Sequence, residues 1–475
     1  MRALGTAGTA VCVSLAVIAA LAFFSLVGNA RSQSKKALAD STITTSSTCS
    51  PAPCVLPPTQ ASEGGNPVTD TPIVANPLNS NQLLLGSVDY NCPGSALGFH
   101  LSRNGGSTWK RVVCMAEIVN GQNIYLPSDE PSVGYDREGN AYVAGIYFDQ
   151  EGAGEHGFAA VEKSSDGARW TKPVVALRLP GQTFPFETRM TVDASPKSAR
   201  MNSLYVSGVM WADQGYKNQV WVSHSTDSGS TWTQAAVDPL QIYPQEDRLT
   251  RLTVGKDGSV YVTWVRMGCG HPCQVAYFMF SKSTDGGSNW SSPERIAKVV
   301  MHDWTLPITY ERAYNYPAIA GDNSDGPYSG NLYVAMYTWA GTYLRVQVIR
   351  STDDGNTWSQ PVRLAPKGDT HDQFFPAISV SSTGKVGVSW LDRRNDPKNI
   401  DYQAFAAISD DGGQSFGRNW QLTKAFSNPK TNGTENNWMG DYTGNTWAGN
   451  DFIAAWMDSS NGVDMQEEVG GVRLK

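Results

Sequence analysis

The sequence predicts an all-β chain folded as a β-propeller, with seven blades favoured over six. A short turn motif recurs six times, and its copies begin 62, 61, 58, 68 and 58 residues apart, at 102–109, 164–170, 225–232, 283–290, 351–358 and 409–416. Between the copies the chain reads as short strands and turns, without helical periodicity after residue 40. A fixed period of this size marks a repeated supersecondary unit, and four strands per unit are the blade plan of a propeller.

Each residue of the recurring motif has a structural task. The complete form, Ser-x-Asp-x-Gly-x-Thr-Trp, stands at 225–232 and 351–358. The Asp can accept hydrogen bonds from amides of its own turn, the Gly supplies a positive φ, and the Trp packs the hairpin onto its neighbour. We therefore expect the motif to join the third and fourth strands of a blade, on the face away from the starts of the first strands.

The number of blades depends on the two ends of the chain. A seventh series of strands begins near 439–442 and ends at 469–474 without the motif or a fourth strand. The missing strand would come from the N-terminal segment, somewhere in 55–70, and would remove the open edges of the ring. A six-bladed ring, with the first or last series as an appendage, is the alternative.

The N-terminal region reads as an export segment followed by a linker. Residues 10–28 are apolar, and the small residues at 28–30 suit signal cleavage, so 1–30 is a signal peptide or a retained membrane anchor. Residues 31–70 are rich in Ser, Thr and Pro and form a linker with the ring-closing strand, and 71–475 form the propeller. We expect a secreted, extracellular or periplasmic protein that contacts a membrane only through residues 10–28.

The net charge and the spacing of the cysteines limit the classes of ligand and the compartment that we expect for this protein. The net charge of −7 gives no basic footprint, which excludes nucleic acid as a ligand. Six cysteines follow Cys12 in close pairs, which predicts disulfides in an oxidising compartment: Cys49 with Cys54, Cys92 with Cys114, and Cys269 with Cys273. The loop at 269–273 favours a disulfide over a metal cage. We expect a monomer without metal or cofactor.

Chemically active residues gather where the first strands start. Strand direction places these starts, and the ends of the second strands, at one mouth of the central channel, the usual ligand site of a closed ring. Asp129, Asp441 and Tyr442 are among the residues at the starts. Arginines that break the repeat lie here on the third to fifth units, with acidic residues beside them: Arg189, Arg248, Arg251, Arg266 and Arg312, next to Glu187, Glu246, Asp247 and Glu311. They predict an anionic ligand, because a guanidinium is the natural partner of a carboxylate. Alternatively, Glu–Arg pairs only neutralise the channel.

The motif resembles the Asp-box of bacterial secreted sialidase-like (BNR repeat) propellers, over about 72–475. The resemblance implies an arginine triad for the substrate carboxylate, a Tyr nucleophile activated by a Glu, and an Asp acid/base. By role, the triad would be Arg189, Arg248 and Arg312, with Arg251 and Arg266 as substitutes. Tyr314 or Tyr316 would pair with Glu311 or Glu246.

The resemblance has one departure that bears on function. The Phe-Arg-Ile-Pro-type motif, which carries the first triad arginine of sialidases, does not occur before the first box. Two functions therefore stand side by side. The narrowly favoured one is a sialidase-like glycoside hydrolase acting on an acidic glycan, and the alternative is a non-catalytic propeller that binds a glycan or protein at the cell surface.

Overall fold

The computed structural model describes residues 49–149, 156–179, 184–269, 273–434 and 438–475. They form seven antiparallel sheets in succession around a ring, so the chain is a seven-bladed β-propeller, as the sequence favoured over six blades. The one helical element among these residues is a 3₁₀ turn, Asp213–Gly215. None of these residues belongs to a helix long and apolar enough to cross a membrane.

The first four blades follow one another along the chain. Blade 1 contains Val68–Thr69, Ile73–Asn76, Asn79–Asp89, Leu97–Ser102 and Lys110–Cys114. Blade 2 contains Ile118–Asn120, Asn123–Tyr135, Ala141–Asp149, Gly157–Ser164 and Val174–Leu177. Blade 3 contains Phe184–Val192, Leu204–Ala212, Lys217–Ser225, Thr233–Ala236 and Gln241–Ile242. Blade 4 contains Glu246–Val254, Val260–Met267, Val275–Ser283 and Glu294–Val300.

The last three blades complete the ring. Blade 5 contains Ala318–Gly321, Leu332–Trp339, Leu344–Ser351 and Val362–Arg363. Blade 6 contains Gln373–Val380, Val386–Asp392, Gln403–Ser409 and Asn419–Gln421. Blade 7 combines Gly444–Ala448, Asp451–Asp458 and Gln466–Arg473 with Cys54–Gln60 from the other end of the chain. Residues 301–317, between blades 4 and 5, contain no named strand and are called the strap below.

The ring closes by pairing the two ends of the chain. Cys54–Gln60 runs antiparallel to Gln466–Arg473, with Cys54 opposite Arg473 and Gln60 opposite Glu468. The sequence predicted a closing strand somewhere in 55–70, and the structure has it at Cys54–Gln60. The pairing covers the outer edge of blade 7, which would otherwise expose a row of unpaired backbone groups.

The recurring turns join third and fourth strands, as the sequence predicted. In the turn at 225–232, the Asp227 carboxylate accepts hydrogen bonds from the Thr231 hydroxyl (2.6 Å), the Thr231 amide (2.9 Å) and the Ser225 hydroxyl (2.8 Å). These bonds lower the pKa of Asp227 to about 2, and the bond from the Thr231 hydroxyl makes the largest contribution. Gly229 has φ +85°, and Trp232 donates its indole N–H to the Gly229 carbonyl (3.0 Å). The motif is thus a hairpin lock.

Three disulfides join the predicted pairs. Cys49–Cys54, Cys92–Cys114 and Cys269–Cys273 have Cα separations of 5.5, 5.6 and 5.7 Å. Such bonds form in oxidising environments, which fits an extracellular protein. No group of three or more His, Cys, Asp or Glu residues in the described ranges is arranged to hold a metal. The predicted export segment, including 10–28, and the linker up to residue 48 lie outside the described residues.

Candidate functional site

The innermost strands of four blades share an irregularity at the mouth of the channel. Their pairing with the second strand shifts where one residue has a positive φ: Glu130, Glu187, Leu249 and Phe375. A bulge of this kind re-aims the side chains around it. The residue two places later resumes the pairing in each blade, as Ser132, Arg189, Arg251 and Ala377. Arg189 and Arg251 therefore hold the same position on the adjacent blades 3 and 4.

Both arginines stack on the same two tyrosines. The Arg189 guanidinium lies 4.7 Å from the ring centre of Tyr316 and 3.8 Å from that of Tyr442. The Arg251 guanidinium lies 3.8 Å from Tyr316 and 4.9 Å from Tyr442. Tyr316 lies near the end of the strap, and Tyr442 precedes the first strand of blade 7. Groups from such distant parts of the ring meet only near its axis. These four residues are called the central cluster.

The two guanidiniums differ in how far they are neutralised. Arg189 donates to the Glu130 carboxylate and to the Thr188 carbonyl (2.6 Å), while its Nε and Nη2 have no hydrogen-bond partner in the described structure. Arg251 has no ion pair within the described residues, and its Nη1 donates to the Thr250 carbonyl at 3.4 Å. Burial and the neighbouring charge of Arg189 lower the pKa of Arg251 to about 9. Arg189 is therefore paired with Glu130, whereas Arg251 has only the charge of Asp70, beyond ion-pair distance, and is the guanidinium with which an anion can pair.

Arg248 is buried and already paired. Its Nε donates to the Glu187 carboxylate at 2.9 Å, and Nη2 lies 2.8 Å from the same oxygen. Nη1 is 3.9 Å from the Glu246 carboxylate. The guanidinium also lies 5.0 Å from the Trp211 ring and 5.4 Å from the Tyr314 ring. This arrangement is the neutralising Glu–Arg pair that the sequence left open as an alternative.

Arg312 and Arg266 are paired elsewhere. Arg312, on the strap, forms two hydrogen bonds with the Asp441 carboxylate, at 2.9 and 2.6 Å. Arg266 forms two with Asp247, at 2.7 and 2.6 Å, and one with Asp238 at 2.6 Å. The Asp238 contact ties blade 4 to the end of blade 3. Of the five predicted arginines, the structure brings Arg189 and Arg251 together.

The predicted nucleophile pairs are not hydrogen-bonded. Tyr316 is buried, its hydroxyl has no partner among the described residues, and burial raises its pKa well above the usual value. Tyr314 is half-buried beside Arg248 and Arg312. Glu311 is fully buried, and its charge acts on Arg393. Glu246 is near Arg248, and burial raises its pKa.

Three aspartates at the mouth received no role from the sequence. Burial and the charge of Asp441 raise the pKa of Asp129 to about 7. The Asp70 carboxylate accepts a hydrogen bond from the Asp441 amide (2.7 Å), and burial raises its pKa well above the usual range. Asp129 and Asp441 were recognised only as residues at strand starts, and Asp70 fell in the segment assigned to the linker. A carboxyl group that titrates near neutrality can act as a general acid or base.

Comparison with known proteins adds little about chemistry. No protein-family model matches the chain, and no curated protein matches its sequence. Similar solved structures include a protein of unknown function from Dyadobacter fermentans (15% identity, 76% of this chain and 98% of that one, TM-score 0.44). Others are a Hadza microbial sialidase (13%, 82% and 75%, 0.45) and an α-L-arabinofuranosidase from Fusarium graminearum (12%, 89% and 97%, 0.46). At these identities and TM-scores, the similarities carry no argument about activity.

Proposed function

We propose that this propeller is a sialidase-like glycoside hydrolase acting on an acidic glycan, whose sugar carboxylate binds at the central cluster. One observation carries the proposal: among the described residues Arg251 forms no ion pair, and it lies beside Arg189, whose Nε and Nη2 have no hydrogen-bond partner there. Arg251 is half-buried, and a partly buried cation that forms no ion pair is costly unless a ligand supplies the opposite charge. Guanidinium groups bind planar carboxylates with two parallel hydrogen bonds.

The remaining groups divide the chemistry of glycoside cleavage. Asp129, with a pKa of about 7, protonates the leaving oxygen. We assign Tyr316 as the nucleophile: burial raises its pKa well above the usual value, and Arg189 and Arg251, which lie against its ring, offset part of that rise. Glu246 and Glu311 remain the candidate bases for its proton. Arg248 and Arg312 act as positioning residues through Tyr314, and Arg312 also holds Asp441.

A panel of fluorogenic glycosides tests this proposal. It contains a sialoside, uronides and an arabinofuranoside, each assayed with the wild type and with Arg251→Ala. The variant should lower kcat/KM on the cleaved acidic glycoside about 30-fold or more, because a bidentate ion pair is lost. Arg169→Ala is the matched control, since that side chain is 91% exposed on a hairpin turn. Equal activity of wild type and Arg251→Ala would contradict the assigned site.

Binding without turnover is the second candidate function. Two observations favour it: the Tyr316 hydroxyl has no hydrogen-bond partner among the described residues, and the Phe-Arg-Ile-Pro-type motif is missing before the first box. Isothermal titration with the free acidic sugars separates the two functions. Arg251-dependent binding together with no cleavage of any glycoside in the panel would establish the second.

We also propose that the protein acts outside the cytoplasm as a monomer. The three disulfides support a location outside the cytoplasm. The two ends of the chain pair with each other in blade 7, so no partner chain is needed to cover its outer edge. Non-reducing peptide mapping of exported protein and sedimentation velocity test the two statements. Free thiols at Cys92 and Cys114 would contradict the first, and a stable dimer the second.

A further inference from the structure

Four large exposed apolar residues occur on two neighbouring segments, 216 and 240–243, at the outer rim of blade 3. Tyr216 is 42% exposed, Leu240 44%, Tyr243 52% and Ile242 62%, and they are called the rim patch. Elsewhere exposed residues of this size stand mostly singly along the described chain, which needs no explanation. Four such residues on one blade need an explanation.

The backbone holds the rim patch in a defined shape. Gln241–Ile242 pairs with the start of the third strand, with Ile242 opposite Lys217. The Tyr243 amide donates to the Tyr216 carbonyl at 2.9 Å, and the two rings lie 5.8 Å apart. The aromatic surfaces are therefore presented without the entropy cost of ordering a loose loop.

Two aromatic side chains, Phe186 and Trp211, extend from the mouth toward the turn that precedes the rim patch. The half-buried rings of Phe186 and Trp211 lie 5.9 Å apart, and the Arg248 guanidinium lies 5.0 Å from the Trp211 ring. Gly215 packs on the Trp211 indole, because a Cβ at residue 215 would lie 3.1 Å from that ring. Tyr216, the first residue of the rim patch, follows Gly215 in the chain. Crossing the blade from its innermost to its outermost strand covers about 14 Å, three strand spacings of about 4.8 Å. Several linked sugar units span that distance.

The surroundings of the rim patch suit a sugar chain better than a protein. Asp213 and Lys217 form an ion pair at 3.0 Å with both side chains half-exposed, and Gln245 is exposed next to Tyr243. These groups can bind sugar hydroxyls while the rings cover the apolar faces of the sugars. Four half-exposed side chains of roughly 200 Å² each present about 400 Å², half of what one partner buries in a stable protein interface.

On the basis of the function proposed above, we infer that the ligand is an acidic oligosaccharide rather than a single acidic sugar. Its chain runs from the central cluster over Phe186 and Trp211 to the rim patch. The central cluster binds the carboxylate, and Tyr216 and Tyr243 bind sugar units farther along the chain. Affinity therefore rises with chain length, and the rim patch supplies that increase.

Affinity measured against chain length tests the inference. The probes are size-fractionated oligogalacturonides and α2,8-linked oligosialic acids, each compared with its monomer by isothermal titration. Tyr216→Ala and Tyr243→Ala should each weaken binding of the long oligomers about 3- to 10-fold and leave monomer binding unchanged. Leu78→Ala, which removes a 61% exposed apolar side chain from a turn of blade 1, is the matched control. Melting curves verify that each variant is folded.

The outcomes separate this inference from the function on which it rests. Wild-type affinity for the long oligomers in both tyrosine variants overturns the inference, even if Arg251→Ala abolishes binding and so upholds the central site. Loss of chain-length dependence in the tyrosine variants upholds the rim patch, even if no glycoside is cleaved. If the tyrosine variants change only a monomer–dimer equilibrium, the patch is a contact between copies, and the inference is wrong.

Discussion

Arg189 and Arg251 place a positive charge at a position of the repeat that is uncharged in other blades. The equivalent residues of blades 2 and 6 are Ser132 and Ala377, which bring no charge to the channel. Burial and the repulsive charge of the adjacent Arg189 guanidinium both lower the pKa of Arg251. The unliganded protein therefore carries an electrostatic cost at the site where we propose that an anion binds.

This cost predicts opposite effects at two neighbouring arginines. Arg251→Met should raise the free energy of unfolding of the ligand-free protein by about 1–3 kcal/mol, because an unpaired charge leaves the channel. Arg248→Met should lower it by about 3–5 kcal/mol, because Glu187 loses its partner in a buried site. Denaturant unfolding of both variants measures the difference. A loss of stability in Arg251→Met would contradict the absence of a counterion.

Asp129 predicts a dependence of stability on pH. Its pKa of about 7 means that the folded protein keeps a proton that the unfolded chain releases near pH 4. Unfolding is therefore favoured progressively as pH rises from about 4 to 7, and the loss is complete above pH 7. Asp129→Asn should reduce this decline by about 2–3 kcal/mol, measured by urea unfolding at pH 4.5 and 7.5. An unchanged decline would show that Asp129 does not hold the proton.

The same titration predicts how Asp129 affects catalysis. If it donates the proton, kcat/KM should fall as pH rises through about 7, because the acid form disappears. Asp129→Asn should remove that limb and slow glycosides with poor leaving groups far more than those with good ones. A falling limb that persists in Asp129→Asn would assign the acid to another group.

At the scale of the element, the hairpin turn is stabilised by its own side chains. Asp227 in blade 3 and Asn104 in blade 1 occupy the same position, and each accepts a hydrogen bond from a Thr amide at 2.9 Å. Asn104 also donates to the Thr108 hydroxyl at 2.9 Å. The turn therefore needs a hydrogen-bond acceptor at this position. The negative charge of Asp227 stabilises the turn further, by an amount that depends on pH.

Substitution of Asp227 tests both parts. Asp227→Ala should lower the free energy of unfolding by about 0.5–1.5 kcal/mol, a modest cost because water can reach the exposed turn. Since the pKa of Asp227 is lowered to about 2, its contribution is complete above about pH 4 and is lost as pH falls toward 2. Asp227→Asn should keep most of the stability at pH 7, as Asn104 does, and lose this acid dependence. Thermal melts at pH 7 and pH 3 compare the three proteins, and a binding defect at unchanged stability would contradict the role of a lock.

At the scale of the whole molecule, stability depends on joining the two ends of the chain. Gln466–Arg473 lies between Asp451–Asp458 and Cys54–Gln60. Gly471 permits this close packing, because a Cβ there would approach the Phe452 carbonyl oxygen to 2.1 Å. Blades 1 and 7 also share apolar packing that includes Leu85, Ile453 and Val469. The closing strand therefore protects an edge and fixes the seam between the first and last blades.

Two truncations test this closure. A chain that begins at Cys49 should melt like the full chain, whereas one that begins at Ala61 lacks the closing strand and should melt at a lower temperature and aggregate through the exposed edge. Both cysteines of the Cys49–Cys54 disulfide are absent from the shorter chain, so no free thiol complicates the comparison. Size-exclusion chromatography and calorimetry give the outcome. Equal melting of the two chains would show that the strand is dispensable.

The sequence by itself determined the features whose partners lie close along the chain. The turn at 225–232 is held by hydrogen bonds between residues two to four apart, and the disulfides join cysteines 4, 5 and 22 residues apart. Such local chemistry repeats with the period of the blades, which is why the ring and its seven units could be predicted.

Only the tertiary structure decided which charges are neutralised. Arg248 meets Glu187 across 61 residues, and Arg312 meets Asp441 across 129, whereas Arg251 forms no ion pair among the described residues and has only the more distant charge of Asp70. In the sequence these arginines look alike, because each stands near an acidic residue at a strand start. Pairing between blades depends on how the closed ring orients each side chain, and no short-range pattern encodes that orientation. That Arg251 forms no ion pair within the described ranges is a property of the assembled ring.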